Sequence, residues 1–149
     1  MLVIGADHAG YALKEFVKHR LARAHQTIVD VGAFTKRQGD DYPVFAVALA
    51  TRVRRTADSR GILVCGSGVG MAMVANKVSG IRAALAWDPR VAARSRQEED
   101  TNVLVLPADF VSRTLAEKIV QVWLATPFKR LPRYRRRLGE VQRLEYRTA

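Results

Sequence analysis

Residues 61–72 read GILVCGSGVGMA. The first five are apolar enough to be buried on both faces, as a central strand of a parallel sheet is, and the glycines then lead into a segment of helical period over 69–78. Strand, tight loop and helix form half of a βαβ unit, and the chain repeats that unit on either side. Upstream, LVIGA (2–6) is a strand, YALKEFVKHRLARA (11–24) places Leu13, Phe16, Val17 and Leu21 on one helical face, and TIVDVG (27–32) is a second strand. Asp41 before Tyr42-Pro43 has the form of an N-cap and first turn, opening a helix through about Arg55. Downstream, RAALAW (82–87) is a strand, Asp88-Pro89 repeats the cap signal for a helix to about Glu98, and NVLVLP (102–107) is the last strand. VSRTLAEKIVQVWLA (111–125) is an amphipathic helix with Leu115, Ile119, Val122 and Trp123 on its apolar side. The alternation predicts an α/β fold, a three-layer αβα sandwich around a five-stranded parallel sheet of Rossmann or flavodoxin-like type with right-handed crossovers.

A chain of 149 residues, 48% hydrophobic, fills the core of one ordinary domain, expected over 1–126. From Pro127 the pattern changes to KRLPRYRRRLGEVQRLEY, an extra C-terminal helix from about Pro132. Its Leu138, Val141 and Leu144 form only a narrow apolar stripe, so this basic extension (127–149) is expected to pack on a partner subunit in a homodimer or tetramer. The same segment carries eight Lys/Arg against Glu140 and Glu145, +6 of the chain's net charge of +11. An anionic ligand or a simply solvated basic helix would each account for that excess. Nucleic acid is not an expected partner, because stacking aromatics are sparse and no nucleic-acid-binding motif occurs. No apolar stretch approaches the roughly 20 residues that span a bilayer, and MLVIGADHAG lacks a signal peptide's basic start. A cytoplasmic protein with no membrane partner is the expectation. The single cysteine, Cys65, cannot form an internal disulfide and is expected as a free thiol, used either for packing or for chemistry.

Ligands of open α/β sheets bind beyond the carboxyl ends of the strands. Asp7-His8 and Cys65-Gly66-Ser67-Gly68-Val69-Gly70 follow strands, whereas Glu98 to Asn102 lie at a helix end ahead of one. Asp7 alone would be read as a helix cap and His8 as a surface residue; with a free thiol they suggest a site. The glycine loop lacks a third glycine at Met71 for a dinucleotide fingerprint, a Walker lysine, and a phosphatase arginine. Gly66, Gly68 and Gly70 still let backbone N–H groups turn towards an anion or oxyanion at a helix start. That helix start predicts a lowered Cys65 pKa. A thiolate can attack a carbonyl, carry a phosphoryl group or accept a proton. Ser67 favours proton transfer beside a carbonyl, with the loop holding an enediolate oxygen.

The strings GADHAGYALK (5–14), DYP (41–43), CGSGVGMAMVANKVSGIRAAL (65–85) and SRQEEDTNVL (95–104) together resemble the ribose/galactose isomerase family, and within it the type B ribose-5-phosphate isomerases. The resemblance implies aldose–ketose isomerisation of a sugar phosphate through an enediolate, without metal or organic cofactor, in a dimer with active sites between subunits. It makes Cys65 the base, Ser67 the proton relay between oxygens, and Gly66 to Gly70 the oxyanion site. It gives Asp7 to sugar hydroxyls, His8, Arg133 and Arg137 to phosphate, the arginines coming from the partner, and sets Tyr42 and Asn76 along the pocket.

Three positions depart from the family pattern. Glu98 stands where the family has its ring-opening histidine, Glu99 where it has a substrate-binding asparagine, and Asp109 where an arginine commonly meets phosphate. Glu98 could take over ring opening if burial or Glu99 raises its pKa. Otherwise the substrate differs: a four-carbon sugar phosphate that needs no ring opening, allose 6-phosphate, galactose 6-phosphate, or a sugar whose hydroxyls or cationic group meet the carboxylates. The alternative is that Glu98 and Glu99 point to solvent at the helix end. Two readings outside isomerisation remain, a phosphocysteine carrier and a sugar-phosphate-binding protein without turnover.

Overall fold

The computed structural model describes residues 1–147; of the C-terminal extension, 148–149 lie outside the described residues. Five parallel strands, β1 (Leu2–Ala6), β2 (Ile28–Asp30), β3 (Arg60–Cys65), β4 (Ala83–Leu85) and β5 (Val103–Pro107), stand in the order β2-β1-β3-β5-β4. Successive side chains of a strand face opposite ways, and the core divides accordingly. Ile4, Ile62, Val64, Leu104 and Leu106 meet α1 (Tyr11–Arg23), α4 (Pro89–Glu99) and α5 (Arg113–Ala125) through Leu13, Val17, Ala92, Ile119 and Trp123. Val3, Leu63, Cys65, Val103 and Val105 meet α2 (Tyr42–Arg55) and α3 (Val69–Ala75) through Leu49, Val53, Met71 and Ala75. The three-layer αβα sandwich expected from the alternation is therefore present.

The central strands have the expected lengths, while β2 and β4 are shorter than the six-residue runs that suggested them. These two are the sheet's edges, hydrogen-bonded on one side only and half-buried throughout. Helix α3 also stops early, at Ala75, where Asn76 takes over its C-cap. Asp88 and Ser112 cap α4 and α5, accepting from the amides of Arg90 at 2.7 Å and Leu115 at 3.2 Å. Asp41 precedes α2 as expected but makes no side-chain cap bond; Pro43 in the first turn removes one donor that a cap would otherwise satisfy.

After Pro127 the chain forms α6 (Pro132–Arg147) along α4. Tyr134 is buried, whereas Val141 is 45% and Leu144 62% exposed. With Ile81, Ala83 and Ala84, Val141 and Leu144 flank a groove of about 740 Å3. Glu145 Oε2 closes one side of it, accepting from Ser79 Oγ and Gly80 N at 3.0 Å each. Among the described residues, no helix is long and apolar enough to cross a membrane.

Candidate active site

Strands β1 and β3 are neighbours with Ala6 opposite Val64, so the next residues, Asp7 and Cys65, emerge together at the carboxyl rim. Gly10 permits the approach: a Cβ there would lie 2.1 Å from the Val64 carbonyl oxygen. The Cys65 thiol donates to Asp7 Oδ2 at 2.8 Å, and Gly10 N donates to Asp7 Oδ1 at 2.8 Å. Both residues are buried, at 8% and 4% exposure.

This geometry corrects the expectation of a lowered thiol pKa. Burial pushes Cys65 up, and the hydrogen bond to Asp7 and its charge push the same way, to about 11. The amides of Gly68 and Gly66 pull in the opposite direction and lose. A seven-residue helix and two amides do not outweigh a carboxylate in contact with sulfur. The resting residue is a thiol. Asp7 has one oxygen on the amide of Gly10, the residue ahead of α1, and the other on Cys65, so a sugar hydroxyl would compete with the thiol for it; α1 itself has no side-chain cap, contrary to the helix-capping reading of Asp7.

Gly68 adopts φ 76°, the left-handed region, and a Cβ would lie 2.5 Å from Leu85 Cδ1; the loop turns here into α3. The neighbouring glycines are crowded from outside. A Cβ on Gly70 would strike the Tyr42 ring at 2.7 Å, and one on Gly66 would strike Asp109 Oδ2 at 2.8 Å. Tyr42 therefore lies against the loop, and the Asp109 carboxylate sits beside Gly66. Exposed Ser67 keeps its hydroxyl at the loop surface, accepting from Val69 N at 3.3 Å. His8 N donates to Asp40 Oδ1 at 3.0 Å, and His8 Nδ1 meets the same oxygen. A proton on Nδ1 is thereby favoured, leaving Nε2 for a ligand.

Asp40 was not legible in the sequence; its only signal was a Gly-Asp-Asp loop ahead of α2. The loop's near end is held by fully buried Lys14, whose Nζ donates to Asp30 at 2.9 and 3.0 Å and to Ala33 O at 2.6 Å.

The remaining candidates lie elsewhere. Asn76 is one α3 length from the loop, and its amide is spent on Ala72 O, Ala83 O and Ala83 N, at 2.8 to 3.0 Å. It clamps α3 to β4 and does not line the Cys65 site, contrary to expectation. Glu98 and Glu99 end α4 beyond the amino ends of the strands. From Gly61 to Cys65, β3 alone spans about 13 Å at roughly 3.3 Å per residue. Glu98 accepts from Arg94 Nε at 3.1 Å, its side chain 23% exposed. Its carboxylate thus pairs with the Arg94 guanidinium. Glu99 is exposed, as its solvated reading anticipated. Arg133 is exposed on the first turn of α6 and its pKa is raised, first by the Tyr134 hydroxyl at 3.0 Å and also by the charge of Glu98. Arg137 is exposed one turn on. Within one chain the site candidates form two separate groups: Asp7, His8, Tyr42, Cys65, Ser67 and the glycines at the carboxyl rim; Glu98, Glu99, Arg133 and Arg137 around the junction of α4 and α6.

Residues 2–141 match the model of the ribose/galactose isomerase family. The ribose-5-phosphate isomerase B of Escherichia coli (strain K12) is 37% identical over 147 residues, 98% of this chain and 97% of that protein. The crystal structure of ribose-5-phosphate isomerase B from Mycoplasma genitalium with bound ribulose-5-phosphate superposes with a TM-score of 0.93 at 38% identity, over 97% of this chain and 95% of that one. The Clostridium thermocellum ribose-5-phosphate isomerase B gives a TM-score of 0.95 at 35% identity, covering 99% of each chain.

Proposed function

The chain belongs to the ribose/galactose isomerase family and is an enzyme of the aldose–ketose isomerase class, and from that premise we propose that it interconverts a sugar phosphate of the ribose 5-phosphate and ribulose 5-phosphate kind. The observation that carries the reading is the buried Cys65 thiol, 2.8 Å from Asp7 Oδ2 beneath the glycine loop. Substrate above the loop excludes water, the thiol passes its proton to Asp7, and the thiolate takes the proton from C2 of the open-chain aldose. The electron pair left on carbon moves onto the carbonyl oxygen, giving an enediolate beside the loop amides and Ser67. Ser67 moves a proton between the two oxygens, and Cys65 returns its proton to C1 to give the ketose. His8 Nε2 meets the phosphate.

The Arg133 and Arg137 guanidinium groups reach that phosphate from a second subunit, because their own chain holds them away from the rim. The apolar groove beneath α6, with half-exposed Val141 and Leu144, suits a homodimer interface. A reducing cytoplasm suits the free thiol.

A second reading keeps this chemistry on a different or acyclic sugar phosphate, such as a four-carbon one. It is favoured by the Asp109 carboxylate against Gly66 and by the Arg94 pairing of Glu98, which leave phosphate contacts weaker and ring opening without its group. Turnover of ribose 5-phosphate, allose 6-phosphate, galactose 6-phosphate and erythrose 4-phosphate, with solvent deuterium followed into the carbon beside the carbonyl, tests both. Exchange into ribulose 5-phosphate supports the first reading, and exchange confined to the four-carbon sugar the second. No exchange with any of them leaves a binding protein. A stable phosphoryl adduct on Cys65 after incubation with a phosphodonor, read by intact mass, points to a phosphocysteine carrier.

A further inference from the structure

At the amino rim, away from Cys65, Arg54, Arg60, Arg82, Arg96 and Arg130 open on one hollow of about 540 Å3, where the carboxylates are Asp58 and Asp100. Five guanidinium groups against two carboxylates leave an excess of three positive charges. Part of the cluster serves the fold. Asp100 bridges Arg82 at 3.1 Å and Arg96 at 2.9 Å, and Arg60 donates to Leu124 O at 2.8 Å. The Arg60 and Arg96 guanidinium groups lie 5.7 and 5.9 Å from the Trp123 ring centroid, so two like charges share one aromatic face or its edges. Arg96 is only 6% exposed, and burial first, then the charge of Arg60, lower its pKa. The chain thus sustains a repulsion that a bound anion would relieve.

The fold does not account for the other two arginines. The side chains of Arg54, in the last turn of α2, and Arg130, in the turn after α5, make no hydrogen bond or ion pair among the described residues, yet both border the hollow. Arg130 stands at φ 54°, an uncommon conformation for a side-chain-bearing residue. Phe128 lies beside them in the same lining. Planar guanidinium forks suit phosphate oxygens, and the volume lies within the roughly 300–1,000 Å3 usual for small-ligand sites.

We propose that this amino-rim hollow binds a small molecule bearing a diphosphate group, with Arg54 and Arg130 as its free anchors and Arg60, Arg82 and Arg96 supplying the surrounding positive field. A diphosphate brings about three negative charges, matching the excess. A sugar monophosphate would leave part of that excess unpaired. Extended nucleic acid would call for an open basic stripe with several stacking aromatics, whereas this is a hollow with one such ring in reach.

Calorimetric titration of the full chain with inorganic pyrophosphate and with ADP, at fixed ionic strength, tests the proposal. Both should bind the wild type. The Arg54→Gln/Arg130→Gln variant should lose affinity about tenfold per guanidinium removed while keeping the unliganded melting temperature. An Arg133→Ala/Arg137→Ala variant should keep its affinity for both. Tighter binding of ADP than of pyrophosphate would put the base on Phe128, and equal binding would leave the diphosphate as the recognised group; either supports the site. No binding by the wild type, unchanged binding by Arg54→Gln/Arg130→Gln, loss only in Arg133→Ala/Arg137→Ala, or tighter binding of a short oligonucleotide than of either probe would overturn it.

Discussion

The two rims of one sheet solve opposite problems. At the carboxyl rim a thiol and a carboxylate are buried in contact, held by glycines whose missing side chains let α1, Tyr42 and Asp109 close in. At the amino rim long arginines gather around an open hollow, two of them, Arg82 and Arg96, bridged through one carboxylate, Asp100. The first arrangement holds a proton between two atoms 2.8 Å apart; the second holds charge loosely and leaves room for a ligand. The contrast teaches that the thiol and carboxylate are placed by backbone proximity, whereas the arginines are placed by side-chain reach, which would let the proposed phosphate-binding pair, Arg133 and Arg137, serve another subunit.

The sharpest way to break this comparison is at the rigid rim. Cys65→Ala should lower kcat by about a thousandfold or more, in keeping with loss of a positioned acid–base group. Residual turnover within tenfold of wild type would remove Cys65 from the base's role. At the looser rim, Arg133→Ala/Arg137→Ala should act mainly on KM, raising it about 10- to 100-fold. The two lesions should also complement each other. An equal mixture of refolded Cys65→Ala and Arg133→Ala/Arg137→Ala chains should recover about a quarter of wild-type activity, since half the dimers are mixed and each keeps one intact site. No recovery would mean that both groups serve a site within one chain.

Asp7→Asn separates proximity from charge. Removing the carboxylate removes a cause of the raised thiol pKa, so iodoacetamide alkylation of Cys65 should shift its pH midpoint down from about 11 while kcat falls. An unmoved midpoint would leave burial as the whole cause. The same shift has a signature in stability. Because the folded thiol titrates near 11 and the unfolded one near 9.0, its contribution is complete below pH 9 and is lost as pH rises through 11. The loss, on the order of 2 kcal/mol, should be absent in Cys65→Ala when alkaline denaturation of the two is compared. The smallest effect expected is that of Glu98→His, a gain of a few-fold on cyclic substrates if ring opening limits turnover. No gain there, with turnover of a four-carbon sugar phosphate intact, would favour the acyclic substrate.

What the sequence made legible follows the same division. The buried strands stood out because residues such as Ile62 to Val64 are apolar on both faces, and the helices because of their periodic apolar stripes. The edge strands are shorter than their sequence runs, since Val31, Arg82 and Ala86 read as strand residues but lie just outside the short edge ladders. Cys65 and the loop were visible as a local motif. Its partner Asp7 is 58 residues away, and only the β1–β3 pairing discloses that the two touch. A carboxylate in contact reverses what the helix start suggested for the thiol. Asn76 was misplaced because its motif is contiguous with the glycine loop although α3 carries it to the opposite rim. The amino-rim arginines, at 54, 60, 82, 96 and 130, belong to different elements and carry no spacing that sequence could reveal.

The length of β3 has a consequence for how the protein behaves in dilute solution. About 13 Å of strand lies between the two groups of functional side chains, a gap that the chain's own fold keeps open. If a second chain completes the site, as proposed, activity depends on the number of chain pairs as well as the number of chains. On serial dilution through the dissociation constant of the pair, specific activity should fall with circular dichroism unchanged, and added inactive Cys65→Ala chains should restore part of it.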